Sequence, residues 1–243
     1  MENGIDESLE LKALVGELEG TKDKDSIVGK LQEIGKKLIT EYIIVVDRIE
    51  IQPLWVEAYY YNINSFPDCN SHLNEMQKNR FGQLYFHREG RGGFDICLSN
   101  SDDYYLSFLL KATMINGKFN TQMGIYDVLS SLDLKEADFE NIINVLVKRE
   151  KPLDYRIECV KRVGITKPCY KEEQLAAFPI EVLNKNECNF TFAHKELIPL
   201  VLKYNEEYMN NKKNYTKKDS VAYCREVFGW VPDDLIRFLR ELT

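Results

Sequence analysis

A single carboxylate lies within an apolar and aromatic stretch of the chain, LWVEAYYYN at residues 54–62. If this stretch is a strand, Glu57 shares a face with Tyr59 and points away from Val56 and Ala58. A glutamate in such surroundings is paired with a cation, solvated in a cleft, or held with a raised pKa. In a cleft it has the chemistry of a general base that activates water beside rings that stack on a planar substrate. The alternative is a structural glutamate on the solvent face or in an ion pair.

More polar and aromatic side chains lie on a predicted hairpin at residues 83–99, QLYFHREGRGGFDICLS. Its glycines suit a tight turn because glycine adopts positive φ without steric cost. Tyr85 and His87 precede the turn, on a strand that we expect to neighbour the strand of Glu57. The carboxylate would then have the aromatic neighbours that stacking on a flat ring requires.

Water activation by a carboxylate needs no metal or cofactor, and the sequence predicts neither. None of the six cysteines forms a CxxC pair, and the chain has only three histidines. A zinc site is therefore not expected. We interpret the cysteines as reduced and structural, with Cys97 in the core.

Apolar residues at helical spacing predict helices in several parts of the chain. These lie at residues 7–20, 25–41, 120–134, 136–150, 195–209, 220–230 and 232–242. The turn before the second helix offers Asp25 or Ser26 as its N-cap.

Strand signals occupy the middle of the chain, where Ile, Val and Tyr are dense. They lie at residues 40–62, in the hairpin at 83–99, at 104–115 and late, within 174–184. Pro53 is expected to break the ladder or to lie on an edge strand. Together these signals predict an α+β fold, with a curved, mainly antiparallel sheet surrounded by helices and helical additions at both ends.

The charge balance argues mildly against a protein whose whole surface clamps nucleic acid, because the net charge is −7. One run is basic, however. Residues 143–171 hold eight Lys and Arg against Asp154, Glu150 and Glu158. This run is either a local basic patch or a solvated helix face followed by a loop.

The first residues, MENGIDESLELK, are acidic and polar and do not have the pattern of a secretory signal. No window has the apolar length that spans a membrane. A cytoplasmic protein without a membrane partner is the expectation.

Several segments between residues 46 and 183, taken in order, resemble the 3-methyladenine (alkyladenine) DNA glycosylase family. VEAYYYN is similar to the strand with that family's catalytic Glu-Ala-Tyr triplet, and DCNSH to the acidic loop that follows it. The other similar segments are RFGQLYFH, GRGGFDICLS, YYLSFLLKA, RVGIT at 162–166 and AAFPIEV. The resemblance rests on the order of these segments.

The resemblance implies a role for each matched residue. Glu57 would activate water, and Tyr59 would stack on an extruded base with His72 beside it. His87 stands in the place of a second stacking Tyr, Lys111 in that of an Arg near the phosphates, and Asp95 in that of a selectivity Asn. Asp95 and Lys111 have an alternative interpretation as a simple ion pair.

The hairpin tip departs from the family, because a Tyr wedge is expected where this chain has Glu89-Gly90-Arg91-Gly92. Arg91 is the only long side chain there with suitable reach. In the late strand, Ala177 and Pro179 replace an expected Arg and Tyr.

The implied function is a base-excision DNA glycosylase that flips damaged purines out of duplex DNA and hydrolyses their N-glycosidic bond. The alternatives are a non-catalytic nucleic-acid or partner-binding module on the same scaffold and a hydrolase of free nucleosides. The implied organisation is a helical extension at 1–41, the glycosylase-like domain at 42–190 and a second helical extension at 191–243. The sequence does not decide the oligomeric state.

Overall fold

A computed structural model describes residues 8–68, 70–87, 93–130, 144–155, 157–160, 162 and 181–184. The two predicted helices at the start are confirmed as α1, Leu9–Gly20, and α2, Lys24–Thr40. The N-cap of α2 is Asp23, and the prediction of Asp25 or Ser26 is wrong. The Asp23 carboxylate accepts from the backbone N–H of Ser26 at 2.8 Å and from its hydroxyl at 2.6 Å. Asp23 thus satisfies a backbone N–H that the first turn of a helix leaves without a helical partner.

Ten strands are found within the described residues. They are β1 Tyr42–Val46, β2 Ile49–Asn62, β3 Phe66–Pro67, β4 Leu84–Phe86, β5 Phe94–Cys97, β6 Tyr105–Ile115, β7 Lys118–Thr121, β8 Asn144–Lys148, β9 Ile157–Val160 and β10 Glu181–Asn184. The predicted hairpin is confirmed as β4 and β5, and the predicted strand at 104–115 as β6. The predicted late strand is found at β10.

The strands form a curled antiparallel sheet, and with the helices they give the predicted α+β fold. The main order is β4-β5-β6-β2-β1-β8, and β10 also pairs with β2. The long strands β2 and β6 pair from Ile51–Ile115 to Tyr61–Tyr105, so they form the centre of the sheet. Each of these two strands is therefore hydrogen-bonded to neighbouring strands along both of its edges.

Pro53 lies inside this central pairing, opposite Thr113, and not on an edge. The register shifts immediately after it, between Pro53 and Val56. Because proline has no N–H to donate, an irregular ladder is the way in which a central strand tolerates it. Of the two expectations for Pro53, the broken ladder is confirmed.

The helix predicted at 120–134 is found as α3, Gln122–Ser130. The helix predicted at 136–150 is wrong for its final part, where NVLVK forms β8. This strand pairs with β1 along its whole length, from Tyr42–Lys148 to Val46–Asn144. Pairing with a distant strand overrides the helical spacing of the local sequence.

One hydrophobic cluster joins the helices to one face of the sheet. Leu11 of α1 and Ile34 of α2 share it with Val56, Tyr60 and Phe108 of the central strands, each at most 1% exposed. Because successive strand residues alternate between faces, the intervening residues of β2 and β6 face the other way. That second face carries the polar residues that the sequence singles out.

A small ionic cluster ties α1 to the sheet edge. Glu10 accepts a hydrogen bond from Lys148 of β8, and another from Lys37 of α2 at 2.7 Å. The hydrogen bonds from Lys148 and Lys37, in that order, lower the pKa of Glu10 to about 2 from its ordinary 4.5.

Because of this cluster, we expect Glu10→Gln to be slightly less stable than wild type at pH 7, with the difference disappearing as the pH falls. A lowered folded-state pKa stabilises the fold above pH 4.5, and this contribution is lost as the pH falls towards 2. Because the Glu10 side chain is half exposed, we expect less than about 1 kcal/mol at pH 7. Urea unfolding of both proteins between pH 7 and pH 2 checks this. A difference that grows as the pH falls would contradict it.

Candidate active site

Four adjacent strands place the predicted site residues in one row on the polar face of the sheet. Glu57 lies opposite Leu109, Leu109 opposite Asp95, and Asp95 opposite Tyr85. Directly opposed residues of antiparallel strands point to the same face. With strands about 4.8 Å apart, the backbones of Glu57 and Asp95 are about 10 Å apart, with Leu109 between them.

Glu57 is 4% exposed, and both of its carboxylate oxygens are bound. The Tyr59 hydroxyl donates to one oxygen, and Lys111 Nζ lies 3.1 Å from the other. The same ammonium lies 4.7 Å from the ring centroid of Trp55, in a cation–π contact. Of the three states open to this glutamate from sequence, the structure shows the paired one. A buried carboxylate with two donors is held in one orientation.

The Tyr59 phenol remains a donor over the whole neutral range. Burial and the nearby Glu57 charge raise its pKa well above 10. The Tyr59 ring is also 5.1 Å from the guanidinium carbon of Arg162, so a cation covers one of its faces. A substrate that stacks on Tyr59 would use the other face of the ring.

Asp95 is fully buried and accepts three hydrogen bonds. Ser107 Oγ and Gln77 Nε2 lie 2.5 and 3.0 Å from Oδ2, and His87 Nε2 lies 2.7 Å from Oδ1. The alternative in which Asp95 pairs with Lys111 is wrong. Each carboxylate of the row has its own partner, because Lys111 pairs with Glu57 and the His87 ring hydrogen-bonds to Asp95.

Three aromatic rings pack together at the outer end of the row. His87 contacts His72 and Tyr85 edge to face, with ring centroids 5.0 and 4.8 Å apart. His72 is exposed, whereas the His87 side chain is 16% exposed. Glu57, Tyr59, Lys111, Asp95 and His87 therefore share one face of the sheet, and His72 adjoins it. Arg91 lies outside the described residues.

The loop after β3 lies over part of this face. Asp68, which is fully buried, is 2.8 Å from the guanidinium of Arg162, and Gln77 reaches Asp95 and Ser107. These contacts were not predicted from the sequence. Ser107 had a detectable signal, because it precedes Lys111 by four residues on an alternating strand and so shares its face. Gln77, in a loop, had none.

Three cations in the described part of the basic run make contacts within the protein. Lys148 binds Glu10, and Arg149 donates to the side chain of Gln52. Arg162 is 6% exposed and lies against Asp68. These three cations are thus held by other parts of the fold, and the expected solvated helix face is a strand at 144–148.

No protein-family model matches the chain, and a search of curated proteins finds no significant match. None of the helices in the described residues has the length and apolar character needed to cross a membrane.

Proposed function

We propose that the protein hydrolyses the N-glycosidic bond of damaged purines in DNA, with Glu57 as the residue that activates water. The observation that supports this most is the placement of two anchored acid–base pairs on one sheet face. Glu57 with Lys111 and Asp95 with His87 flank Leu109, with about 10 Å between the strands that bear the carboxylates.

The chemistry follows from these groups. A water hydrogen-bonded to the Glu57 carboxylate would attack the sugar carbon as the bond to the base breaks, and Glu57 would take up its proton. The negative charge of Glu57 also offsets the positive charge that builds on the sugar. Lys111 fixes the carboxylate, while Tyr59 and the histidine rings provide π-faces for an extruded base.

The first test uses the wild-type protein. It is incubated with a duplex that contains hypoxanthine, with methylated duplex DNA that contains 3-methyladenine, and with an undamaged duplex. We expect release of free hypoxanthine or free methylated purine, measured by chromatography, and none from the undamaged strand. Absence of release from both damaged substrates contradicts the proposal.

A second candidate is a binding module without catalysis on the same scaffold. It is favoured by the low exposure of Glu57 and by the engagement of both of its oxygens. This candidate predicts weak duplex affinity that changes little with added salt. The enzyme predicts a steep fall in affinity, because bound phosphates release counterions. Titration of a labelled duplex at several salt concentrations separates the two.

A further inference from the structure

The His87–Asp95 pair has the geometry of a proton-transfer dyad. Asp95 is buried and is fixed by Ser107 and Gln77, so its remaining oxygen faces His87 Nε2 at 2.7 Å. The imidazole lies towards the surface, with its side chain 16% exposed. In such an arrangement the buried carboxylate fixes one ring nitrogen of the imidazole, and the other nitrogen is available for proton transfer.

The hydrogen bond decides which nitrogen is presented. Because Asp95 accepts from Nε2–H, Nδ1 is the nitrogen that can gain or lose a proton. No hydrogen-bond partner of Nδ1 is found among the described residues. Three titratable residues contact the His87 ring. They are Asp95 on β5, Tyr85 on β4 and His72 in the loop after β3.

Asp95 also favours the protonated ring. Burial by itself lowers the pKa of His87, but the charge and the hydrogen bond of Asp95 outweigh burial, and the net pKa is raised above 6.5. The imidazolium is therefore more populated near neutral pH than for an ordinary histidine.

We propose that His87 is a general acid of this site, which donates its Nδ1 proton to a ring nitrogen of the departing purine, and that Asp95 is its positioning residue. This role rests on the proposed hydrolysis. As the bond between sugar carbon and base nitrogen breaks, its electron pair passes to the purine, and the His87 proton neutralises it. Glu57 takes the proton of the attacking water, whose oxygen bonds to the sugar carbon. Solvent then returns a proton to His87 and removes one from Glu57.

The chemistry of the leaving base provides a discriminating test. Hypoxanthine is neutral in DNA and leaves as an anion unless it is protonated. An N-methylated purine such as 7-methylguanine already carries a positive charge and leaves as a neutral base. The proton of His87 should therefore matter for the first substrate and not for the second.

The experiment measures single-turnover release of hypoxanthine and of 7-methylguanine by wild type and by His87→Gln. Loss of the stacking ring affects both bases, so we expect the loss for hypoxanthine to exceed the loss for 7-methylguanine by about 100-fold, within the usual contribution of a general acid. Equal losses on both substrates, or no loss on either, overturn the role of His87. If wild type releases neither base, the proposed function itself fails, and this role fails with it.

Asp95→Asn tests the positioning role through the pH profile. Hypoxanthine release requires the imidazolium, so its rate falls as the pH rises through the pKa of His87. Loss of the Asp95 charge lowers that pKa, and the falling limb should move to lower pH. NMR titration of the His87 ring in both proteins gives the same shift without reference to activity. An unmoved limb and an unmoved titration overturn the positioning role.

Discussion

Glu57→Gln is expected to reduce the rate of base release by about 1,000-fold, within the range of a positioned general base. The amide has nearly the same shape as the carboxylate and still accepts a hydrogen bond, but it cannot take a proton from water. It also lacks the negative charge that opposes the charge on the sugar. The measurement is single-turnover release of hypoxanthine from a duplex at saturating protein, so that a change in affinity does not enter the rate.

Glu50→Gln is the matched control for this variant. Glu50 lies on the same strand, β2, but is exposed, and the substitution makes the same chemical change. We expect its rate to equal that of wild type. Circular dichroism and thermal unfolding confirm that both variants are folded at the assay temperature. If folded Glu57→Gln is as active as Glu50→Gln, Glu57 is not the base.

The face of Glu57 was predictable because it depends only on alternation along one strand. Tyr59 follows at two residues, and the structure places its hydroxyl on Glu57. Tyr60 falls between Tyr59 and Tyr61 and is buried in the core, as the same alternation requires. Local periodicity therefore carries enough information for this part of the site.

The partners of Asp95 and Lys111 were not predictable, because they depend on register between strands. Strand pairing places Asp95 opposite both Tyr85 and Leu109. His87, two residues after Tyr85, is therefore within reach of Asp95, whereas Lys111 lies beside Glu57. Register follows from turn geometry and from packing on the opposite face, neither of which a short segment encodes. The strand at 144–148 was missed for a similar reason, since its partner β1 is about a hundred residues away in the sequence.

Lys111→Met is expected to lower the free energy of unfolding by about 3 kcal/mol, the scale for a buried ion pair that loses one partner. The Lys111 side chain is 15% exposed and that of Glu57 is 6% exposed, so the carboxylate has the poorer access to water. Methionine keeps most of the length of lysine and can still contact Trp55 through its sulfur. The loss therefore reports the missing charge more than missing volume. Lys118→Met on β7 makes the same change at an exposed position and should alter stability by no more than about 0.5 kcal/mol.

The double variant Glu57→Gln/Lys111→Met distinguishes the interaction energy between these two side chains from the energy of their contacts with the rest of the protein. With neither charge present, most of the stability lost in Lys111→Met should return, and urea unfolding of the four proteins gives the coupling energy directly. Glu57→Gln alone should cost less than Lys111→Met, because the ammonium lies on a longer and more exposed side chain that can reach water. A coupling near zero would mean that solvent already screens the two charges, and Lys111 would then not be what fixes the orientation of Glu57. A strong coupling means that the same contact stabilises the sheet and fixes the orientation of the carboxylate.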